Sequence, residues 1–249
     1  MEWVAQPPNT IVIQIGDQLD SLTRSEEAGD WEKLDDTILM RFTEKLDKVA
    51  KEKGGRFISM VGNHEIMNIL GDYTYVSGTS MEKSGGSAGR HEKFKPDGVY
   101  AKLLASRPCV LKIGKLLFCH AGLLPYHLDL VNNNLNMINE IHETFCLHKP
   151  MSEYTVSLHK ELFVEPTSLL WNRLYLQGEM AVMEKQLDNV LSRTDCIAMI
   201  IGHNTIANIT NVYNRKLWLT DVGLSRAFSN SNVEVLEILN GTTFNVIKK

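Results

Sequence analysis

The sequence predicts an α/β protein whose buried strands stop at a common edge lined with polar side chains. Three observations predict it. Short apolar runs at residues 11–15, 57–61 and 196–201 are rich in strand formers, and each runs into a glycine. Chemistry-bearing residues follow each run: Gly16-Asp17, Gly62-Asn63-His64-Glu65 and Gly202-His203. Between the first two runs, apolar residues recur at helical spacing. Strand, helix, strand is a βαβ unit, and it puts the polar residues at the carboxyl edge of the sheet.

Taken in order, residues 11–15 form a near-continuous β-branched run, read as a strand buried on both faces. Two carboxylates, Asp17 and Asp20, follow in a turn opened by Gly16. Residues 25–30 are polar and loop-like. Leu34, Ile38, Phe42, Leu46 and Val49 then mark one face of a helix over about 35–53, stopped by Gly54-Gly55. After the second strand, residues 66–70 read as a helical turn or two. Residues 71–98, with Ser84-Gly85-Gly86-Ser87-Ala88-Gly89 inside, read as a loop-rich insertion. A short helix is expected over 99–106 and a tight hairpin across Gly114, ending in His120-Ala121-Gly122-Leu123.

Residues 126–168 read as a helical elaboration, weakened at Asn132-Asn133-Asn134. A helix over 179–191 carries Met180 and Met183 on its inner face. A buried strand at 196–201, a hairpin across Asn214-Arg215 and two strands near 233–239 and 243–247 complete the chain. Neither a repeat nor an internal linker divides it, so residues 1–249 are read as one domain with the two elaborations.

The bulk numbers exclude several classes. At 249 residues the chain can bury a sizeable core. A net charge of −4 gives no footprint for nucleic acid or anionic membrane. No apolar run reaches the roughly 18 residues of a membrane span, and the N-terminus lacks the pattern of a signal peptide. Cys109, Cys119, Cys146 and Cys196 show no paired spacing and read as free thiols of a reducing compartment, which makes the cytoplasm the expected location.

Asp17, Asn63, His120 and His203 together offer a carboxylate, an amide oxygen and two imidazoles. That mixed oxygen and nitrogen set suits a divalent transition metal such as Mn²⁺, Fe²⁺ or Zn²⁺. Singly, each has an ordinary reading: a turn aspartate, a helix cap, a structural histidine. The ordered motifs Gly16-Asp17-x-x-Asp20, Gly62-Asn63-His64-Glu65, His120-Ala121-Gly122 and Gly202-His203 resemble those of the calcineurin-like metallophosphoesterases. Residues 169–173 and Thr220-Asp221-Val222-Gly223-Leu224-Ser225-Arg226 resemble the phosphoprotein phosphatase branch, most nearly its Shewanella-like, bacterial-type members. The likeness runs from about residue 11 to 239.

That resemblance implies a metallophosphoesterase-type β-sandwich of two mixed sheets flanked by helices. It implies two divalent metal ions (Mn²⁺, Fe²⁺/Fe³⁺ or Zn²⁺), bridged by Asp17, with Asn63, His120 and His203 completing the ligand set of the second metal. It makes His64 the acid that protonates the leaving oxygen, held by Asp20. Arg173 would clamp the phosphate. The implied activity is a metal-dependent phosphomonoesterase of the protein serine/threonine phosphatase type, acting on a phosphorylated protein or peptide. Rival readings are a hydrolase of small phosphoesters or dinucleoside polyphosphates and a phosphatase-like binding module without activity.

Two departures bear on these implications. The family's Asp-x-His-Gly motif and the strand before it are absent ahead of residue 11, so the first metal has only Asp17. A missing N-terminal segment is the expected cause, a lost or rebuilt site the alternative. Ser21 stands where a phosphate-binding Arg is usual, and Arg24 is the candidate substitute. Asp20 as a helix cap and Arg173 as a structural ion-pair partner are the bland alternatives. Arg90 and Arg226 read as surface charges, and His91, His127, His142, His148 and His159 carry no assigned role.

Overall fold

A computed structural model describes residues 2–23, 35–228 and 233–249. In chain order the elements are β1 (Ile11–Gln14), α1 (Thr37–Glu52), β2 (Arg56–Ser59), α2 (Asn63–Leu70), α3 (Gly78–Lys83), α4 (Gly86–Phe94) and α5 (Val99–Leu104). They continue with β3 (Val110–Ile113), β4 (Leu116–Cys119), α6 (Pro125–Leu130), α7 (Leu135–Cys146), α8 (Glu153–Phe163), α9 (Leu174–Gln177) and α10 (Met180–Thr194). The last are β5 (Ala198–Ile201), β6 (Thr210–Val212), β7 (Leu217–Leu219), β8 (Glu234–Leu239) and β9 (Thr243–Lys248).

A five-stranded mixed sheet in the order β3-β4-β5-β7-β6 forms the centre. Strands β4, β5 and β7 are parallel, and antiparallel β3 and β6 close the two sides. Side chains alternate between its faces, as the period of a strand requires. Leu117, Cys119, Met199, Ile201, Leu217 and Leu219 enter the larger core, with Leu128, Ile138, Leu187 and Leu191 from the helices. Leu116, Phe118, Ala198, Ile200 and Trp218 point the other way, onto Ile13, Ile15, Leu236, Ile238 and Phe244. The second β layer is therefore two ribbons, the parallel pair β1-β2 and the hairpin β8-β9. Trp218 and Phe244 stack across the layers with centroids 4.9 Å apart. The α/β class holds, with mixed sheet at the centre and helices outside.

Several local expectations are corrected. Strand β1 is not buried on both faces: Ile11 is 45% exposed, because β1 pairs with β2 alone among the described residues. In α1 the buried stripe is Thr37, Met40, Thr43 and Ala50, while Ile38 and Phe42 face outward. Segment 71–98 is largely helical. Ser77 caps α3 through the Ser80 N–H (3.2 Å), and Gly85, at φ +88°, turns the chain into α4. A run rich in glycine and serine read as loop is a joint between two helices. The Asn132-Asn133-Asn134 weakness is a full break: Asn132 and Asn133 adopt positive φ, and Asn134 caps α7 through the Asn136 N–H. Met183 is core, but Met180 is exposed.

Candidate active site

Four loops past strand ends converge. Those after β1 and β2 meet backbone to backbone. A Cβ on Gly16 would lie 2.5 Å from the Gly62 nitrogen, and one on Gly62 would lie 2.2 Å from an Asp17 oxygen. Both positions therefore need glycine, and Gly16 also sits at φ +89°. Glu65, fully buried at the third position of α2, fastens the junction. Its carboxylate accepts the N–H groups of Asp17 (2.8 Å), Gln18 (2.8 Å), Leu19 (3.3 Å) and Gly62 (2.7 Å). Burial, with Asp17 second, pushes its carboxyl above the usual range.

Asn63 opens α2, and its Oδ1 lies 2.9 Å from His120 Nε2 and 3.0 Å from His203 Nδ1. His120 Nε2 lies 3.1 Å from Asp17 Oδ2. Ligand atoms of Asp17, His120 and His203 all fall within 4.8 Å of one another. The opposite ring nitrogens are committed outward: His120 Nδ1 donates to the Ile15 carbonyl (2.7 Å), and His203 Nε2 donates to that of Trp171 (3.1 Å). A carbonyl only accepts, so the outer nitrogens carry the protons and the inner ones of the neutral rings carry lone pairs. Four acceptors then face one point. That is the donor set and outer bracing of a metal site, and the residues fit a divalent cation.

The electrostatics agree. Burial opposes charge on His120, yet Asp17 holds its pKa up at about 9. Burial also opposes ionisation of Asp17, but His120 and His64 bring its carboxyl well below the usual range. Burial, then the neighbouring His120, lowers His203 to about 3. A proton on His120 compensates Asp17 when no cation does. Asp17, Asp20 and His203 all adopt positive φ, a conformation that costs non-glycine residues roughly 1–3 kcal/mol and that clusters at functional sites.

Beside the cluster, His64 Nδ1 is 2.7 Å from Asp20 Oδ2, and the His64 backbone N–H donates to Asp17 Oδ1 (3.1 Å). Tyr75 lies edge-on to the His64 ring, centroids 5.1 Å apart. The His64–Asp20 pair is in contact, and Asp20 does not cap α1. Arg173 reaches the fourth loop, where its Nη1 donates to Asn204 Oδ1 (2.9 Å) and to the His203 carbonyl (3.3 Å). Among the described residues, no carboxylate lies within ion-pair distance of Arg173. Arg24 lies outside the described residues. Ser21 Oγ pairs with Ser77 Oγ (3.3 Å). Arg226 is exposed.

Arg90 is a correction. It is fully buried, not a surface charge, and forks onto Asp36 (2.8 and 3.1 Å) while its Nε donates to Asn68 Oδ1 (2.6 Å). Sequence reading also assigned no role to Glu65, Asn68, Asp36 or Asn204. Glu65 had a local signal, since a Glu three residues past a helix cap is half of a capping box. The other three are ordinary polar residues whose importance lies in contacts far along the chain.

Fold and site together define an α/β sandwich with a convergent Asp17–Asn63–His120–His203 cluster and an adjacent His–Asp pair. Similar proteins share much of its sequence or its fold. The chain is 32% identical to an uncharacterised protein of Acanthamoeba polyphaga mimivirus, over 84% of this chain and 98% of that protein. It is 28% identical to Shewanella-like protein phosphatase 2 of Arabidopsis thaliana, over 92% of this chain and 66% of that protein. The solved structure of a cold-active protein-tyrosine phosphatase from a psychrophilic Shewanella shares the fold. Its TM-score is 0.71 at 20% identity, covering 95% of this chain and 69% of that one. No family model matches the sequence. Two of these relatives are thus named phosphatases, and the chain is similar to Shewanella-like protein phosphatases over most of its length.

Proposed function

We propose that this chain is a metal-dependent phosphomonoesterase acting on phosphorylated protein side chains, phosphoserine and phosphothreonine foremost. The observation that carries the proposal is the convergence of four lone-pair donors at one point, 3.1 Å or less between neighbours, beside a His–Asp pair.

Asp17, Asn63, His120 and His203 would hold a metal ion, with Asp17 placed to share a second. Bound metal supplies the charge that polarises phosphoryl oxygens and acidifies an attacking water. The chain's own residues do the rest. Asp20 accepts the Nδ1 proton of His64, which fixes the ring and leaves Nε2 to deliver a proton to the departing oxygen. An alkoxide leaves badly without that proton, and a phenolate needs it less. Arg173 stands beside the His203 loop, where its guanidinium can pair with phosphate oxygens.

The names of the relatives supply a second reading, phosphotyrosine, because the structural neighbour is called a tyrosine phosphatase. Phosphate release from phosphoserine and phosphotyrosine peptides, with Mn²⁺ and with chelator, separates the readings; Asn63→Ala is the blank. The proposal expects Mn²⁺-dependent release above the blank, with the phosphoserine peptide turned over. Tyrosine-only turnover would move the substrate class. No turnover by a folded, Mn²⁺-loaded chain would favour a binding module.

A further inference from the structure

Helix α4 sends a fully buried arginine toward the His64–Asp20 pair, and nothing in the chemistry above uses it. Arg90 Nε donates to Asn68 Oδ1 (2.6 Å), and its two terminal nitrogens fork onto Asp36 (2.8 and 3.1 Å). Nη1 also reaches Ser84 Oγ (3.3 Å), and Nη2 lies 3.6 Å from Asp20 Oδ1. Asp36 in turn accepts the Asp20 backbone N–H (3.1 Å), and its own N–H donates to Ser80 Oγ (3.1 Å). Ser84 apart, the polar contacts of this guanidinium among the described residues lead to Asp20 or to a residue that holds it.

The chemistry of the groups fixes one arrangement. Guanidinium only donates, so Asn68 must turn its carbonyl oxygen toward Arg90. Its Nδ2 then faces the other way, where it donates to Asp20 Oδ1 (2.9 Å) and to the His64 carbonyl (2.9 Å). With Oδ1 occupied, Asp20 offers Oδ2 to His64 Nδ1 (2.7 Å). Asp20 sits at φ +69°, so its carboxylate is held against backbone preference as well. Arg90, Asn68, Asp20 and Asp36 are all buried, where unmet donors are costly and a satisfied network is rigid.

We propose that Arg90 and Asn68 are positioning residues for the His64–Asp20 acid pair. The segment from 71 to 98, which supplies Arg90, Ser80 and Ser84, is the brace that aims that acid. This inference rests on the phosphatase reading for its kinetic consequence, but not for its structural one.

The kinetic test uses the Mn²⁺-loaded protein with an alkyl phosphate and with p-nitrophenyl phosphate. Asn68→Ala and Arg90→Lys should each lower kcat for the alkyl substrate about 10-fold or more, at nearly constant KM. The aryl substrate should lose less than about 3-fold. Combining either change with His64→Ala should add nothing to the loss His64→Ala causes alone. Equal losses on both substrates, or additive losses, would mean that the network merely supports the fold and would overturn the proposal.

A second readout needs no turnover. In the metal-free protein, the hydrogen-bonded Nδ1 proton of His64 should give a resolved NMR signal that weakens or disappears in the folded variants. Persistence at wild-type intensity and position contradicts the brace. In the wild type, the Asn68 side-chain amide protons should exchange with solvent as slowly as that imidazole proton. Fast exchange of Asn68 contradicts it too, whether or not the variants fold. Should the wild type hydrolyse neither phosphate, the functional reading fails while these two measurements still decide the brace.

Discussion

Asn63 does the most at the scale of single residues. It starts a helix, and its oxygen faces both imidazoles at about the distance a shared cation would draw together. Asn63→Ala or His203→Ala should weaken Mn²⁺ affinity at least about 10–100-fold, the loss typical of disturbing even an outer contact of a metal site; titration calorimetry measures it. His64→Ala should keep metal affinity and lower turnover of an alkyl phosphate about 10²–10⁴-fold, with a smaller effect on an aryl phosphate. Hydrolysis of the alkyl phosphate at the wild-type rate would remove the acid role. Glu65→Gln leaves an amide N–H₂ among four backbone donors. The variant should lose about 2–4 kcal/mol of stability by urea unfolding. At this scale the sequence was legible where each of the converging residues carries its own local signal. Asp17, Asn63, His120 and His203 each follow a strand and a glycine or a hairpin. Arg90 was not legible, because its partners Asp36 and Asn68 lie 54 and 22 residues away, and a lone arginine after a glycine run has the pattern of a surface charge.

Elements place these residues through backbone contact. The turns after β1 and β2 touch at Gly16 and Gly62, where a single methyl group has no room. Gly62→Ala must separate the two turns. It should cost about 3 kcal/mol, the upper range for overpacking, and weaken metal binding with it. Unaltered stability and affinity would mean that the contact is looser than the geometry requires. Strand ends, hairpins and α10 were readable because their periods and punctuation are local. Helix α1 was misread in its facing: Ile38 and Phe42 form a good apolar stripe, yet Thr37, Met40 and Thr43 are the residues turned inward. Tertiary contacts chose between two usable faces. The α3–α4 pair was misread as loop because glycines at 85 and 86 serve a helix joint as readily as an open turn.

Across the whole molecule, a central sheet separates a layer of β-ribbons from a helical layer that carries three buried histidines. Burial lowers His127 to about 3, His142 to about 4 and His159 to about 3. Each would bind a proton near pH 6.5 once unfolded. Below that pH the unfolded chain takes up protons that the folded one refuses. The stability from these groups is thus complete above about pH 6.5 and declines as pH falls toward 4, by up to about 1.4 kcal/mol per pH unit for each histidine. Urea midpoints in chelator at pH 7 and pH 5 should show the decline, and His142→Gln should reduce its slope. The sheet, its alternating faces and the edge where the site lies follow from strand patterns in the sequence; the division of the second layer into two ribbons does not, because pairing partners are a property of the assembled fold.

The proposed chemistry depends on Asp17, Asn63, His120 and His203 forming a metal site. Mn²⁺ binding to the purified chain, followed by electron paramagnetic resonance as free Mn²⁺ is consumed, tests it directly. A site built by these four residues gives saturable binding that Asn63→Ala weakens at least about 10-fold and His64→Ala leaves intact. Absence of binding by the folded wild type, or equal binding by Asn63→Ala, would contradict it.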